Sequence, residues 1–496
     1  VIAALSAWRV SCCFQDAQMY GDYGLFIDGA WHSTGGGGLT PVFSPVTERA
    51  LGEVACANGE DTRDALESAQ RGFRSWKAKS AFERADALHR IADEMLRRKD
   101  EGARMISSET GKPLAQSERE WALSVDQFRW HAEEARRIYG RVIESRVPSG
   151  RFEVLHEPVG VAAAFTAWNF PAALVARKVA PALAAGCSIV VRPSSQTPGT
   201  AMVMVDCMRA GHLPAGAVSL LVGPTEATYT PIMASKVVRK VSLTGSTRVG
   251  QQMIRDAADT VKKVSMELGG NAPLIVFDDA DLETALGVAV PTKYANAGQV
   301  CVTPDRFFIH ESLHDKFVEG FVSRAKSLKL GDGLDASVQM GPLINGKRLS
   351  DIEAVVAEAE RQGATIAAGG RRAAAFNAGH FFEPTVLTNV SDDMAVFAEE
   401  NFGPVAAITS FSSDDEALQR ANTSDMGLSA YAFTQSPKRA RRAVAELKAG
   451  MVGINSFALA ASEAPFGGTN FSGMGREGGI ESIKDYLDTK LAQVVF

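Results

Sequence analysis

The sequence has 496 residues, too many for one hydrophobic core, so two or three domains are expected. Apolar residues make up 46% and charged residues 22%, as in an ordinary globular protein, and the net charge of −6 comes with no basic tract. Nucleic acid and anionic membrane surfaces are therefore poor partners, and no apolar run of about 18 residues predicts a transmembrane helix.

Val1 to Phe14 are mildly apolar but lack a charged region followed by a clean apolar core, so no signal peptide is expected. From about Phe26 the pattern is globular, with FIDGAW reading as a short strand and turn. Asp61 reads as the N-cap of a helix whose apolar stripe is Leu66, Ala69, Phe73 and Trp76. A second long helix carries Trp121, Val125, Phe128, Ala132 and Ala135. Apolar runs at Gly160–Ala167, Ser188–Val191, Val218–Val222, Val241–Leu243 and Pro273–Phe277 then alternate with helical stretches. That alternation predicts a buried, mostly parallel sheet with helices on its faces. A second α/β stretch runs from about Leu268 to Phe466, with helices near 281–297, 311–328 and 347–363. Arg141–Glu157 reads as a hairpin and Lys490–Phe496 as a strand, two β pieces that need a sheet to join, which a neighbouring subunit would supply.

The six cysteines are Cys12, Cys13, Cys56, Cys187, Cys207 and Cys301. None forms a CxxC pair and a chain of this size needs no disulfide, so a cytoplasmic setting fits best. Most read as small buried apolar residues. No metal-ligand spacing is visible, so no metal is expected.

Four local patterns carry possible chemistry. In Asn296-Ala-Gly-Gln-Val-Cys301 a cysteine follows a glycine-containing loop, suiting a nucleophile near a helix terminus where its thiolate is favoured; a buried inert cysteine fits too. In Met266-Glu267-Leu268-Gly269-Gly270-Asn271 a carboxylate ends a β-like run, suiting a general base whose pKa partial burial raises, or simply a solvated Glu. In Ala167-Trp168-Asn169-Phe170-Pro171 the Asn amide suits an oxyanion, with the backbone N–H of the nucleophile as its partner, or a turn before a helix. In Leu243-Thr244-Gly245-Ser246-Thr247 a strand runs through a Gly-Ser turn into a helix, a weak pyrophosphate cradle that is neither GxGxxG nor a Walker A motif.

In identity, order and separation the four motifs together resemble the aldehyde dehydrogenase superfamily, from about Phe26 to the C-terminus. Glu399-Glu400-Asn401-Phe402-Gly403-Pro404, Pro465-Phe466-Gly467-Gly468 and Ser472-Gly473-Met474-Gly475-Arg476-Glu477 extend the match. The resemblance implies an α/β fold: a Rossmann-type cofactor domain (1–140 and 160–267), an α/β catalytic domain (268–470) and a small β oligomerisation element (141–159 and 480–496) of a homodimer or homotetramer. It makes Cys301 the nucleophile on an aldehyde, Asn169 with the Cys301 N–H the oxyanion donors, and Glu267 the base that hydrolyses the thioester. Lys178 and Glu477 match positions that relay the proton of the base, or form an ordinary ion pair. Glu400 matches the residue that holds the nicotinamide ribose, and Phe402 the one beside the ring. Thr166, Trp168, Arg192, Ser194, Ser195, Gly245, Ser246 and Leu268 fall at cofactor-contacting positions, and Phe170 at a substrate-lining one.

NAD-preferring members carry a Glu where this sequence has Ser195 in Arg192-Pro193-Ser194-Ser195. Losing that charge, with Arg192 as a fork for phosphate, favours NADP over NAD. The run Ala176 to Cys187, the run Arg192 to Pro198 and the run Ser265 to Asp279 look most like succinate-semialdehyde dehydrogenases. That branch grips the substrate carboxylate with two arginines: Arg177 matches the first, whereas the second position, six residues before the nucleophile, is Ala295. Ala460 and Ala461 also replace polar residues, so an ω-semialdehyde bulkier than succinate semialdehyde is as well suited as succinate semialdehyde itself. Neutral aliphatic or aromatic aldehydes are the alternative. A CoA-acylating relative usually lacks the base retained here in Glu267. A cysteine protease would need a His partner, and none of the eight histidines lies in such a motif.

Overall fold

The computed structural model describes residues 19–496, so Cys12 and Cys13 lie outside the described residues. The helix Gly59–Lys77 buries Leu66, Ala69 and Trp76, with Phe73 partly covered. Its N-cap is Asn58 rather than Asp61. The Asn58 side chain accepts from the Glu60 and Asp61 N–H groups, and Asp61 reaches back to the Asn58 N–H at 2.8 Å. Asp61 is thus the third residue of a capping box, a role that a carboxylate three places inside the helix serves as readily as the cap itself. Trp121, Val125, Phe128, Ala132 and Ala135 form the buried stripe of the helix Leu114–Ala135.

The first four apolar runs become strands of an eight-stranded sheet, and the fifth, Pro273–Phe277, enters a second sheet. The five central strands of the eight-stranded sheet are parallel, in the spatial order Val218–Leu220, Ser188–Arg192, Val161–Phe165, Val238–Thr244 and Lys263–Glu267. The chain starts at Val161–Phe165, winds outward one way, then returns and winds the other way. The order therefore reverses between Val161–Phe165 and Val238–Thr244. Open α/β sheets bind ligands beyond the carboxyl ends of the strands at such a reversal.

The second sheet has seven strands, in the order Thr365–Ala368, Thr385–Thr388, Val405–Phe411, Pro304–His310, Ala272–Val276, Ser429–Phe433 and Met451–Ile454, parallel except for the first. Helices Leu282–Tyr294, Glu311–Lys326 and Gly346–Arg361 stand where the sequence pattern put them. Each sheet is covered by its own apolar core.

The hairpin and the C-terminal strand do not wait for a neighbouring subunit. Leu487–Val495 pairs antiparallel with Gly150–Pro158 along its whole length, and Arg141–Glu144 completes a three-stranded sheet. Among the described residues, no helix is long and apolar enough to cross a membrane, and no cluster of three His, Cys, Asp or Glu stands ready for a metal.

Candidate active site

One cavity of about 380 Å³ opens between the two large sheets. The strand Lys263–Glu267 delivers Glu267 and Leu268 to it, and the turn after Val161–Phe165 delivers Trp168, Asn169 and Phe170. The turn after Val238–Thr244 brings Gly245 and Ser246, and the helix Ala173–Ala185 brings Arg177. From the other side come Cys301, Glu400, Phe402 and Phe466, while Glu477 follows the strand Gly473–Met474 of the first sheet. Residues far apart in the sequence thus share one wall-to-wall space.

Cys301 sits between a tight turn over Ala295–Gly298 and the strand that begins at Pro304, not at a helix N-terminus. The turn is left-handed: Asn296, Ala297 and Gly298 have φ of +48°, +53° and +73°. For non-glycine residues this conformation costs about 1–2 kcal/mol each. Side-chain bonds offset it. Asn296 Nδ2 donates to the carbonyls of Asn169 (3.2 Å) and Gln299 (3.3 Å), and the Asn296 N–H donates to Gln116 Oε1 at 2.9 Å. Without a helix dipole, burial dominates the thiol. Its pKa is pushed up to about 12 by desolvation and then by the Glu400 and Glu267 charges, with Arg177 pulling the other way. The setting that sequence reasoning gave the thiolate is therefore corrected.

Asn169 is 4% exposed, and its Nδ2 donates to the Gln299 carbonyl at 3.1 Å. An amide nitrogen has two hydrogens, so one N–H remains for a ligand. Glu267 is equally buried, and its Oε2 has no partner. Desolvation, then the Glu477 charge, raises its pKa well above the ordinary carboxylate range, while Lys178 and Arg177 oppose the rise. A methyl group on Gly467 would sit 2.6 Å from Glu267 Oε1, so the glycine is what lets that loop close over the carboxylate. Lys178 lies just outside the cavity, where its Nζ bonds Glu477 and, at 2.7 Å, Thr244 Oγ1.

Arg177 is buried. It is 4% exposed, its Nη1 has no partner, and the guanidinium lies 4.4 Å from the Phe466 ring centroid. The surrounding wall is apolar: Leu123, Phe170, Leu174, Val300, Val302 and Ala460. Of the three alanines read as making room, only Ala460 lines the cavity; Ala295 and Ala461 do not.

The carboxylate of Glu400 accepts the Gly270 N–H at 2.9 Å, and a methyl group on Gly269 would strike it at 2.5 Å. Burial raises its pKa to about 7. Trp168 and Phe402 meet edge to face at 5.6 Å. Gly245 and Ser246 precede the helix Thr247–Ala258, with Ser246 as its N-cap. A second hollow of about 390 Å³ near this helix is lined by Thr166, Arg192, Tyr229 and Arg248. Thr166 Oγ1 there is buried and unpartnered. Two arms of the Arg192 fork are already engaged, Nε on Thr228 (3.2 Å) and Nη2 on the Gly223 carbonyl (3.0 Å), which narrows the phosphate clamp expected of it. Ser194 and Ser195 line neither cavity; Ser194 caps its own turn through the Gln196 N–H. The sequence reading missed Leu123 and Arg348 on the main cavity, whose helices carry no motif that would mark them, and Leu174, an apolar residue just before the Ala176–Cys187 run.

The profile of the aldehyde dehydrogenase family matches residues 31–492. The chain belongs to this family. Its relatives include a 3-sulfolactaldehyde dehydrogenase of Pseudomonas putida, 44% identical over 94% of this chain and 95% of the relative. The NADP(+) succinate-semialdehyde dehydrogenase of Escherichia coli is 40% identical over 94% of this chain and 96% of its own. The crystal structure of a succinate-semialdehyde dehydrogenase from Burkholderia pseudomallei superposes with a TM-score of 0.93, at 42% identity, covering 96% of this chain and 98% of that one. This aldehyde dehydrogenase is an oxidoreductase that uses NAD or NADP.

Proposed function

We propose that this aldehyde dehydrogenase oxidises an ω-semialdehyde to its carboxylate, through a thiohemiacetal and then a thioester on Cys301. The observation that carries the reading is the sharing of one cavity by Cys301, Asn169, Glu267 and Arg177. As Sγ attacks the aldehyde carbon, the Cys301 thiol gives its proton to water, and Glu267 stays free for the later step. The free Asn169 N–H and the Cys301 backbone N–H steady the oxyanion. NAD(P), when bound, supplies the hydride acceptor. The Thr166 to Trp168 turn, the Gly245-Ser246 turn with its helix N-terminus, Glu400 and Phe402 would hold it, and the unpartnered Thr166 hydroxyl fits such a ligand. Ser195 carries no charge to repel a 2′-phosphate, which favours NADP. Glu267 then draws a proton from the water that releases the acid, and Lys178 with Glu477 passes that proton outward.

The anionic end of the substrate goes to Arg177, whose unpartnered Nη1 is costly unless a ligand satisfies it. Relatives named for sulfolactaldehyde, glutarate semialdehyde and succinate semialdehyde act on aldehydes with an acid group at the far end, which supports the reading. The apolar wall of Leu123, Phe170, Leu174 and Phe466 favours a second reading, neutral aldehydes. We further infer that the three-stranded sheet joins copies of the chain into a homodimer or homotetramer. The deciding experiment follows NAD(P)H at 340 nm, without CoA, over a panel of semialdehydes, aliphatic aldehydes and benzaldehydes. Semialdehydes should show the highest kcat/KM, and Cys301→Ala no turnover. Neutral aldehydes winning by orders of magnitude would replace the reading.

A further inference from the structure

The turn that carries Asn169 is held from behind by a buried ion pair that takes no part in the chemistry just described. Lys112 and Glu120 are 1% and 3% exposed. Lys112 Nζ lies 2.6 Å from Glu120 Oε2, 2.6 Å from the Asn169 carbonyl oxygen, and 4.0 Å from the centroid of the Phe170 ring. The ammonium thereby addresses a carboxylate, a carbonyl and an aromatic face at once. The other oxygen of Glu120 accepts the N–H groups of Ala172 (2.8 Å) and Ala173 (3.3 Å), at the start of the helix that carries Arg177 and Lys178. Carbonyl, ring and helix start are thus all referred to a single pair of charges.

The anchor of that pair is rigid. Lys112 follows Gly111, the left-handed residue that ends the helix Lys99–Thr110. The Leu114 N–H bonds the Gly333 carbonyl at 2.8 Å, and methyl groups on Gly333 or Gly341 would lie 2.1 and 2.0 Å from the Lys112 and Gly111 carbonyl oxygens. The segment is therefore wedged against the half of the molecule that carries Cys301. From that same half, Asn296 Nδ2 reaches the Asn169 carbonyl, and Gln299 accepts the Asn169 amide.

We propose that Lys112 and Glu120 are positioning residues for the oxidation: by fixing the Asn169 carbonyl and the Phe170 ring, they set the distance between the Asn169 amide and the carbon that Cys301 attacks. A side-chain donor misplaced by about 1 Å costs on the order of 100-fold in rate, so the clamp reaches the reaction without touching substrate. The inference rests on the oxyanion role proposed for Asn169.

The test is a double-mutant cycle on kcat/KM for aldehyde oxidation. Lys112→Met alone would strand a buried carboxylate, so the neutral pair Lys112→Met with Glu120→Gln is used; the Gln oxygen still accepts from Ala172. The pair should lower kcat/KM by about 10- to 100-fold, with the Kd for NAD(P) within twofold of wild type. In an Asn169→Ala background the same two changes should cost less than twofold, because the donor they position is gone. A purely structural staple would instead give losses that multiply. Multiplying losses, or wild-type activity of the pair, overturn the inference while Asn169→Ala stays impaired. An active Asn169→Ala enzyme overturns the oxyanion reading and the clamp together. Should the neutral pair fail to fold, Lys112→Gln with Glu120→Gln, which strands no charge and keeps both side chains polar, carries the same cycle, with the same non-additivity expected and additivity overturning the clamp.

Discussion

Glu267, proposed as the base, is a buried carboxylate pushed toward protonation, and that combination makes the proposed role testable by pH. A carboxylate acts as a base only after losing its proton. Since burial and Glu477 raise its pKa, the hydrolysis-limited rate should climb with pH across that raised value. Glu267→Gln should abolish this limb and lower kcat by about 10²- to 10⁴-fold. A burst of one NAD(P)H per active chain should precede the slow phase, because thioester formation outruns its release. Stopped-flow absorbance at 340 nm checks it, and a burst-free variant would take the base role from Glu267. Arg177 is tested by discrimination between substrates. Removing a charged hydrogen bond costs about 1.5–3 kcal/mol, so Arg177→Leu should lose roughly 10- to 150-fold in kcat/KM for semialdehydes. Propanal or benzaldehyde should be oxidised nearly as well as before. An equal loss on both classes would mean that Arg177 supports the wall through Phe466 and anchors no anion.

At the scale of elements, the loop after Ser188–Arg192 is where the proposed preference for NADP is tested. Ser195 is exposed and touches neither cavity, so what it contributes is the absence of a charge. Ser195→Glu should reverse the preference, lowering the NADP-to-NAD ratio of kcat/KM by about tenfold or more, since a carboxylate facing a 2′-phosphate costs upward of a kcal/mol. An unchanged ratio would shift discrimination to Arg192 and Arg248, the cations lining the second hollow. The strands around this loop were legible because doubly covered parallel strands read as unbroken apolar runs such as Val161–Phe165 and Ser188–Arg192. Motif residues Cys301, Glu267 and Asn169 were legible by type and order; Glu267 and Asn169 reach the cavity at the carboxyl ends of parallel strands, and Cys301 reaches it from the turn before Pro304–His310. The left-handed turn at Asn296 and Ala297 was not legible. Neither residue signals positive φ as a glycine does, and the bonds that sustain the turn come from Gln116 and Asn169, far off in sequence. Lys112 and Glu120 were invisible for the same reason: a buried ion pair looks on paper like two surface charges on a helical stretch.

At the scale of the whole molecule, the three-stranded sheet leaves apolar side chains exposed among the described residues. In the three-stranded sheet, Leu487–Val495 pairs on one side only and leaves its other edge open. Exposed apolar residues stand on both faces of the sheet, Leu491 and Val495 on one and Val142 and Leu155 on the other, and Phe496 just beyond is 85% exposed. The pairing of Leu487 with Pro158 through Val495 with Gly150 crosses more than 300 residues of chain, a register that no local pattern encodes. An open apolar edge is an aggregation hazard unless something covers it, and the second copy of the same sheet proposed above would do so with closed symmetry. Charges placed on it should therefore split the assembly before they unfold the chain. Leu491→Lys with Val142→Asp should shift the mass seen by light scattering toward the 52.8 kDa chain, with circular dichroism unchanged. Because the cavity is built from residues of one chain, dissociated copies should keep NAD(P) binding. Oligomers that persist through both charges would assign the contact to another face, and cofactor binding lost on dissociation would show that the cavity depends on a neighbour to hold its shape.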